Sequence, residues 1–299
     1  MQTVVTGATG FVGQELCRLL RSEGHTFTVV GRDAARAHAM YPDAPFASWN
    51  DADALNRAVR DADCVFHLAG ESVGGERWTP AYKEKIWASR TETTRRIVQA
   101  NPRALVSASA VGFYGGQSDT VLTENSPAGN DFLARVCVAW EQAAMQAAPK
   151  ATVAVVRIGI VLGKNGGPLQ TLLDPPQVPF SPWKLGLGGP LGNGKQWMPW
   201  VHIADLARLF LWCATRSGAY NGVAPNPVTN ADFSHAIGRA LHRPSFVSVP
   251  AFALRALIGE FADYLLYSQR VVPERTTNDG FEFGYSDINA ALSDILGNR

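Results

Sequence analysis

The sequence predicts an α/β fold, a Rossmann-like doubly wound parallel sheet followed by a smaller C-terminal α/β unit. Three observations carry this. Short β-branched runs alternate with helical patterns through the first half, a glycine cluster marks the first strand-to-helix junction, and the alternation stops after Gly163. At 299 residues, with 46% apolar and 18% charged residues, the chain is long enough for a full core and a second unit.

The first strand reads T-V-V-T from Thr3 and leads through glycines into a helix over Phe11 to Glu23. F-T-V-V from Phe27 is the second strand, and a helix starts near Asp33. Further strands are P-F-A-S around Phe46, C-V-F-H-L from Cys64, A-L-V-S-A-S from Ala104 and T-V-A-V-V-R from Thr152, with helices between them. One helix is well defined: Thr79 caps it, Pro80 takes its first position, and Tyr82, Ile86, Ser89, Thr93, Ile97 and Ala100 recur at spacings of three and four. Gly166 to Met198, rich in glycine and proline, predicts a long irregular loop. A helix from about Ile203 to Thr215 returns to the core. Thr229-Asn-Ala-Asp232 resembles a capping box for a helix to Leu241, and another helix spans Ala251 to Ile258. The expected division is a nucleotide-binding domain over 1–163 and a substrate or cap region over 164–299.

Several function classes are disfavoured. The net charge of +1, with both signs interspersed, gives no basic face for nucleic acid. M-Q-T-V-V-T-G shows no leader pattern, and the longest apolar stretch, Ala151 to Gly163, is too short for a bilayer and contains Arg157. A cytoplasmic protein without a membrane span is expected. Cys17, Cys64, Cys137 and Cys213 form no C-x-x-C and the six histidines no H-x-x-x-H, so neither disulfides nor a metal site are expected.

The strongest chemical signal is Thr6-Gly-Ala-Thr-Gly-Phe-Val-Gly13, between the first strand and the first helix. Gly7, Gly10 and Gly13 let backbone N–H groups approach a diphosphate at a helix N-terminus. Thr6, Thr9, Phe11 and Val12 complete this cofactor loop. A bare tight turn also explains three glycines, but their place at the start of a βαβ unit favours a nucleotide. The second strand ends in Val30-Gly31-Arg32-Asp33. Arg32, with Arg36 one turn on, suits a 2′-phosphate and favours NADP(H) over NAD(H). The alternative has Asp33 bonding the ribose, although Asp33 also suits a helix cap.

These residues resemble the extended short-chain dehydrogenase/reductase superfamily, and within it the atypical branch called the epimerase family proteins, NAD-dependent epimerase/dehydratase-like with a short C-terminal domain of unknown function. The resemblance covers nearly the whole chain. It rests on T-G-A-T-G-F-V-G at Thr6, H-L-A-G-E-S-V at His67, R-W-T-P-A-Y-K-E-K-I-W-A-S-R at Arg77 and S-A-S-A-V-G-F-Y-G at Ser107. It continues through L-T-E at Leu122, D-F-L-A-R-V-C-V-A-W-E at Asp131, R-I-G-I-V-L-G at Arg157, the stretch Leu185 to Asp205, and A-P-N-P-V-T-N at Ala224. It implies that Leu68, Ala69, Gly70 and Ser107 line the cofactor, that Ser109 matches the catalytic serine, and that the short C-terminal domain spans about 248–296. His202 and Asp205 resemble a motif that supports the site.

The same resemblance exposes a departure. Extended members carry a tyrosine that exchanges the substrate proton and, four residues on, a lysine that lowers its pKa and holds the ribose. Those positions fall here on Leu133 and Cys137, and neither can act so. Candidate replacements are Tyr114 as a general acid and Lys85 or Arg90 as a cation for an oxyanion or an anionic substrate group. A packed aromatic and solvated helix charges are the alternatives. Glu71, Arg157 and Trp197 are further candidates for binding substrate. Two functions follow: an NADP(H)-dependent oxidoreductase or epimerase on a small substrate, or a non-catalytic NADP(H)-binding regulator, since relatives in this branch carry cell-division labels. The resemblance also implies a homodimer through the helices at Pro80 and Asp131.

Overall fold

The computed structural model describes residues 1–164 and 166–297. Asn165, Asn298 and Arg299, within the expected second unit, lie outside the described residues. Seven parallel strands form the sheet: β1 (Gln2–Thr6), β2 (Thr26–Gly31), β3 (Phe46–Ser48), β4 (Cys64–His67), β5 (Ala104–Ala110), β6 (Thr152–Ile158) and β7 (Gly218–Gly222). Their spatial order is β7-β6-β5-β4-β1-β2-β3. The order reverses between β1 and β4, which opens a crevice beyond the C-terminal ends of these strands. Every residue of β4 is buried, and so is all of β5 except Ala110. Burial on both faces is why these strands read as unbroken apolar runs.

The helices are α1 (Phe11–Ser22), α2 (Ala34–Met40), α3 (Ala52–Asp61), α4 (Pro80–Gln99), α5 (Phe132–Met145), α6 (Gly167–Leu173) and α7 (Ile203–Trp212), then α8 (Asn230–Leu241), α9 (Ala251–Ile258), α10 (Phe261–Leu266), α11 (Glu274–Asn278) and α12 (Ile288–Leu296). On one face Leu16 and Leu20 of α1 share a core with Leu206 and Phe210 of α7, the expected returning helix. On the other, Val59, Ile97 and Ala144 bring α3, α4 and α5 onto the sheet. The Thr79 side chain caps α4 by accepting from Tyr82 N, with Pro80 in the first turn.

Two expectations need correction. The sheet does not end at residue 163, because β7 supplies its edge strand beside β6. Gly166 to Met198 is not wholly irregular: it contains α6, and Trp197–Met198 pairs antiparallel with Val228–Thr229. Leu169 and Leu173 of α6 bury against a cluster with Trp183, Trp200 and Phe233, so tertiary burial overrides the local glycine and proline signal. After β6 the chain leaves the main sheet at Gly159, where a Cβ would fall 2.5 Å from the Pro199 carbonyl. Ile160–Leu162 then pairs with Trp200–His202.

Buried carboxylates tie the C-terminal segments to the sheet. Glu124 accepts from the amides of Asn221 (3.0 Å), Arg275 (3.0 Å) and Thr276 (3.3 Å) and from the Thr276 hydroxyl (3.1 Å). Asp205 on α7 accepts from Gly284 N and Tyr285 N, each at 2.8 Å. Among the described residues no helix is long and apolar enough to cross a membrane.

Candidate functional site

The glycine loop is shaped by close approach. Gly7 has φ +72°, and a Cβ there would lie 2.9 Å from Leu68 C at the exit of β4; one on Gly13 would lie 2.2 Å from the Gly7 carbonyl. Larger residues would therefore lift the loop off β4 or α1 off the loop. Gly10 is the N-cap of α1 and supplies no side chain, and the first turn has no acidic residue. The other described helices of ten or more residues are all capped by side chains, from Asp51, Thr79, Asp131, His202 and Thr229. The α1 amides are thus left for an anion. Phe11 closes the loop from the far side, packing against Gly163, Gly166 and Gly167. Thr9 and Val12 are half-buried, and the Thr9 carbonyl accepts from Gln14 Nε2 and Arg36 Nη2.

At the exit of β2, Asp33 accepts from Arg36 N at 2.9 Å and caps α2. Arg32 reaches into solvent with its side chain 84% exposed, and its Nη1 lies 3.8 Å from Glu71 Oε2. Two guanidinium groups therefore flank the exit of β2, with Glu71 opposite on the segment after β4.

Strand register then aligns a row of polar side chains. Thr6, His67 and Ser107 are partners across β1, β4 and β5. The Thr6 oxygen accepts from Leu68 N and Ala69 N, both at 3.1 Å, so its hydrogen goes to His67 Nδ1 at 2.7 Å. The imidazole proton then sits on Nε2 and is donated to Thr94 Oγ1 at 3.0 Å, while the Thr94 hydroxyl donates to the Arg90 carbonyl at 2.6 Å. Complete burial pushes the His67 pKa down to about 3, so the ring is neutral. Thr6 and His67 thereby fix the Leu68–Ala69 backbone from below. The Thr6 hydroxyl is fully engaged there and buried, so only its backbone is left for a cofactor. Ser107, also buried, donates to the Ala108 carbonyl.

A second row, Ser109, Arg157 and Asn221, is aligned across β5, β6 and β7. Glu141 of α5 caps it: Ser109 donates to Oε1 at 2.7 Å, and Arg157 donates through Nε and Nη2, both at 2.9 Å. Arg157 Nη1 also donates to Tyr114 Oη (3.0 Å) and the Glu124 carbonyl (3.1 Å), and Tyr114 donates to Asn221 Oδ1 at 2.7 Å. Burial alone would lower the Arg157 pKa, but the Glu141 pair outweighs it and holds the group charged.

This network corrects two expectations. Tyr114 is fully buried with its hydroxyl engaged on both sides, and burial raises its pKa, so it is no general acid. Arg157 holds Glu141 rather than a substrate, because its fork is occupied by protein acceptors. Two more follow. Lys85 is exposed on α4, its Nζ 3.8 Å from Glu76 and over the Tyr82 ring, and among the described residues it makes no hydrogen bond to Ser109. Trp197 donates to Asp119 and stacks under Arg270 at 4.5 Å, so it clamps two surface segments together.

Leu133 and Cys137 do face the exit of β5: a Cβ on Gly112 would lie 3.5 Å from Leu133 Cβ and 3.8 Å from Cys137 Sγ. Burial raises the Cys137 pKa to about 12, so the thiol is uncharged. Arg90 enters the same region from α4. It donates to Ile86 O (3.1 Å) and Glu71 O (3.0 Å) and lies over the Trp140 ring at 5.2 Å. Sequence reasoning missed His67, Thr94, Glu141, Glu124 and Asn221 as organisers of the site. For His67 the available signal was a polar residue ending an otherwise apolar strand.

The fold and glycine loop define a doubly wound nucleotide-binding protein of the short-chain dehydrogenase/reductase type. The NAD dependent epimerase/dehydratase family matches residues 3–223, and a domain of unknown function, DUF1731, matches 249–295. The chain belongs to that epimerase/dehydratase family. The epimerase family protein SDR39U1 homolog, chloroplastic, of Arabidopsis thaliana is 40% identical over 99% of this chain and 87% of the relative. The crystal structure of human epimerase family protein SDR39U1 (isoform 2) with NADPH superimposes with a TM-score of 0.89 at 34% identity, covering 100% of both chains. The nucleoside-diphosphate sugar epimerase from Corynebacterium glutamicum gives a TM-score of 0.77 at 32% identity, over 100% of this chain and 59% of that one.

Proposed function

We propose that this protein is an NADP(H)-dependent oxidoreductase or epimerase acting on a small substrate. The observation that carries the reading is the uncapped N-terminus of α1 behind Gly7, Gly10 and Gly13, with Arg32 and Arg36 at the neighbouring strand exit. Such a set receives a diphosphate on backbone amides and a 2′-phosphate between guanidinium groups. The NADPH in the human relative supports the same preference. When bound, the cofactor donates or accepts a hydride.

The chain's own residues do the rest. The Leu68–Gly70 backbone supports the second half of the cofactor. Ser109 donates its proton to Glu141, so its oxygen acts as an acceptor and favours a substrate hydroxyl over a carbonyl at that point. Arg157 pairs with Glu141 at 2.9 Å, which makes the carboxylate an orienting group for Ser109. With Leu133 in place of a phenol, that position on α5 exchanges no proton.

Incubation of C4-deuterated NADPH with a panel of carbonyl compounds, and of NADP+ with a panel of nucleotide sugars, tests the reading. We expect deuterium in one reduced product, or NADPH formation or a new epimer from one nucleotide sugar, with Ser109→Ala slowing its appearance at least tenfold, about 1.4 kcal/mol. Nucleotide binding without turnover of any panel member would instead favour a non-catalytic NADP(H)-binding regulator, a reading supported by the engaged, buried Tyr114.

A further inference from the structure

We propose that Arg90 is the fixed cation that holds the ribose of the cofactor's nicotinamide half; this rests on the NADP(H) reading above. The Arg90 guanidinium is half-buried between α4 and α5. Its hydrogen-bond partners are the carbonyls of Ile86 and Glu71 and, at 3.5 Å, the Ser89 hydroxyl. No carboxylate pairs with it among the described residues, although burial pulls its pKa down. Glu71 acts on it through space, but its direct hydrogen-bond acceptors are all neutral, and an enclosed charge so placed favours a further acceptor. Of its five N–H groups, Nε–H and one on Nη2 make no hydrogen bond among the described residues.

Its position says what that acceptor is. The Cζ atom is 3.4 Å from where a Cβ on Gly70 would stand, so the guanidinium lies against the backbone leaving β4. The diphosphate loop follows β1, and Arg32 and Arg36 flank the exit of β2. A dinucleotide laid across the β1/β4 reversal, with its diphosphate on α1, places its second ribose at the exit of β4. The vicinal hydroxyls of a ribose present neighbouring lone pairs, which suit the fork of a guanidinium. Arg90 is also held for this task. Its carbonyl receives the Thr94 hydroxyl, the last link of the chain from Thr6 through His67, so the strand under the phosphate loop and the helix bearing Arg90 are mechanically joined. The facing position on α5, Cys137, carries no charge.

Calorimetric titration of the full chain with NADPH and with 2′-phosphoadenosine 5′-diphosphate, which ends at the diphosphate and lacks the second ribose, tests this. Arg90→Met should weaken NADPH about tenfold and leave the fragment unchanged; Arg90→Lys, which keeps a donor but loses the fork, should recover only part of the NADPH affinity. The fragment affinity serves as the folding control. Unchanged NADPH affinity in Arg90→Met, or equal losses for NADPH and fragment, would overturn the assignment while leaving the NADP(H) reading intact. Wild-type protein that binds neither ligand would overturn both.

Discussion

At the scale of single residues, the site is organised by groups whose protonation is fixed by burial. His67 has a folded pKa of about 3 against an ordinary 6.5, so it binds a proton in the unfolded chain before it does so in the fold. Its contribution is present above pH 6.5 and is lost as pH falls from there toward 3. We expect urea denaturation to show about 2 kcal/mol less stability at pH 5 than at pH 7.5. His67→Asn should shrink that difference; burial lowers the His202 pKa too, and that group adds to the loss in the same direction. An undiminished difference would refute the neutral-histidine chain. Glu141→Gln is expected to lower stability by about 3 kcal/mol, because the Arg157 side chain is only 7% exposed and loses its carboxylate partner. Gly13→Ala forces a Cβ against the Gly7 carbonyl, so it should cost about 2–4 kcal/mol in the same assay and abolish nucleotide binding. The glycines were legible because the close approach they permit is local to the first βαβ unit. The roles of Arg157 and Tyr114 were not, since each is set by partners on other elements, 16 residues away for Glu141 and 107 for Asn221.

At the scale of elements, capping and burial decided what the sequence could reveal. Thr79, Asp33 and Thr229 begin α4, α2 and α8 through side-chain caps, which short-range spacing exposes. The short helix α6 was hidden among glycines and prolines because it depends on burial of Leu169 and Leu173 against distant aromatics. β7 escaped for a related reason: G-A-Y-N-G has little strand propensity and is held by its parallel register with β6. The segment through α11 is likewise non-local, joined to the sheet by the four bonds to Glu124. Glu124→Gln should therefore speed amide hydrogen exchange across 270–281 well before the central strands respond. Uniform acceleration of the whole chain, or none, would contradict that coupling.

At the scale of the whole molecule, the crevice at the β1/β4 reversal joins two polar systems. Arg32 and Arg36 flank the exit of β2, while Arg90, Ser109 and Glu141 lie beyond β4, and the buried Thr6–His67–Thr94 chain connects the halves. The claim on which the rest depends is that this crevice takes NADP(H). Calorimetric titration of nucleotide-free protein with NADPH and with NADH tests it most directly. The account predicts NADPH binding at least tenfold tighter than NADH, with the preference lost in Arg32→Asp. Equal affinities, or binding of neither nucleotide, would contradict it.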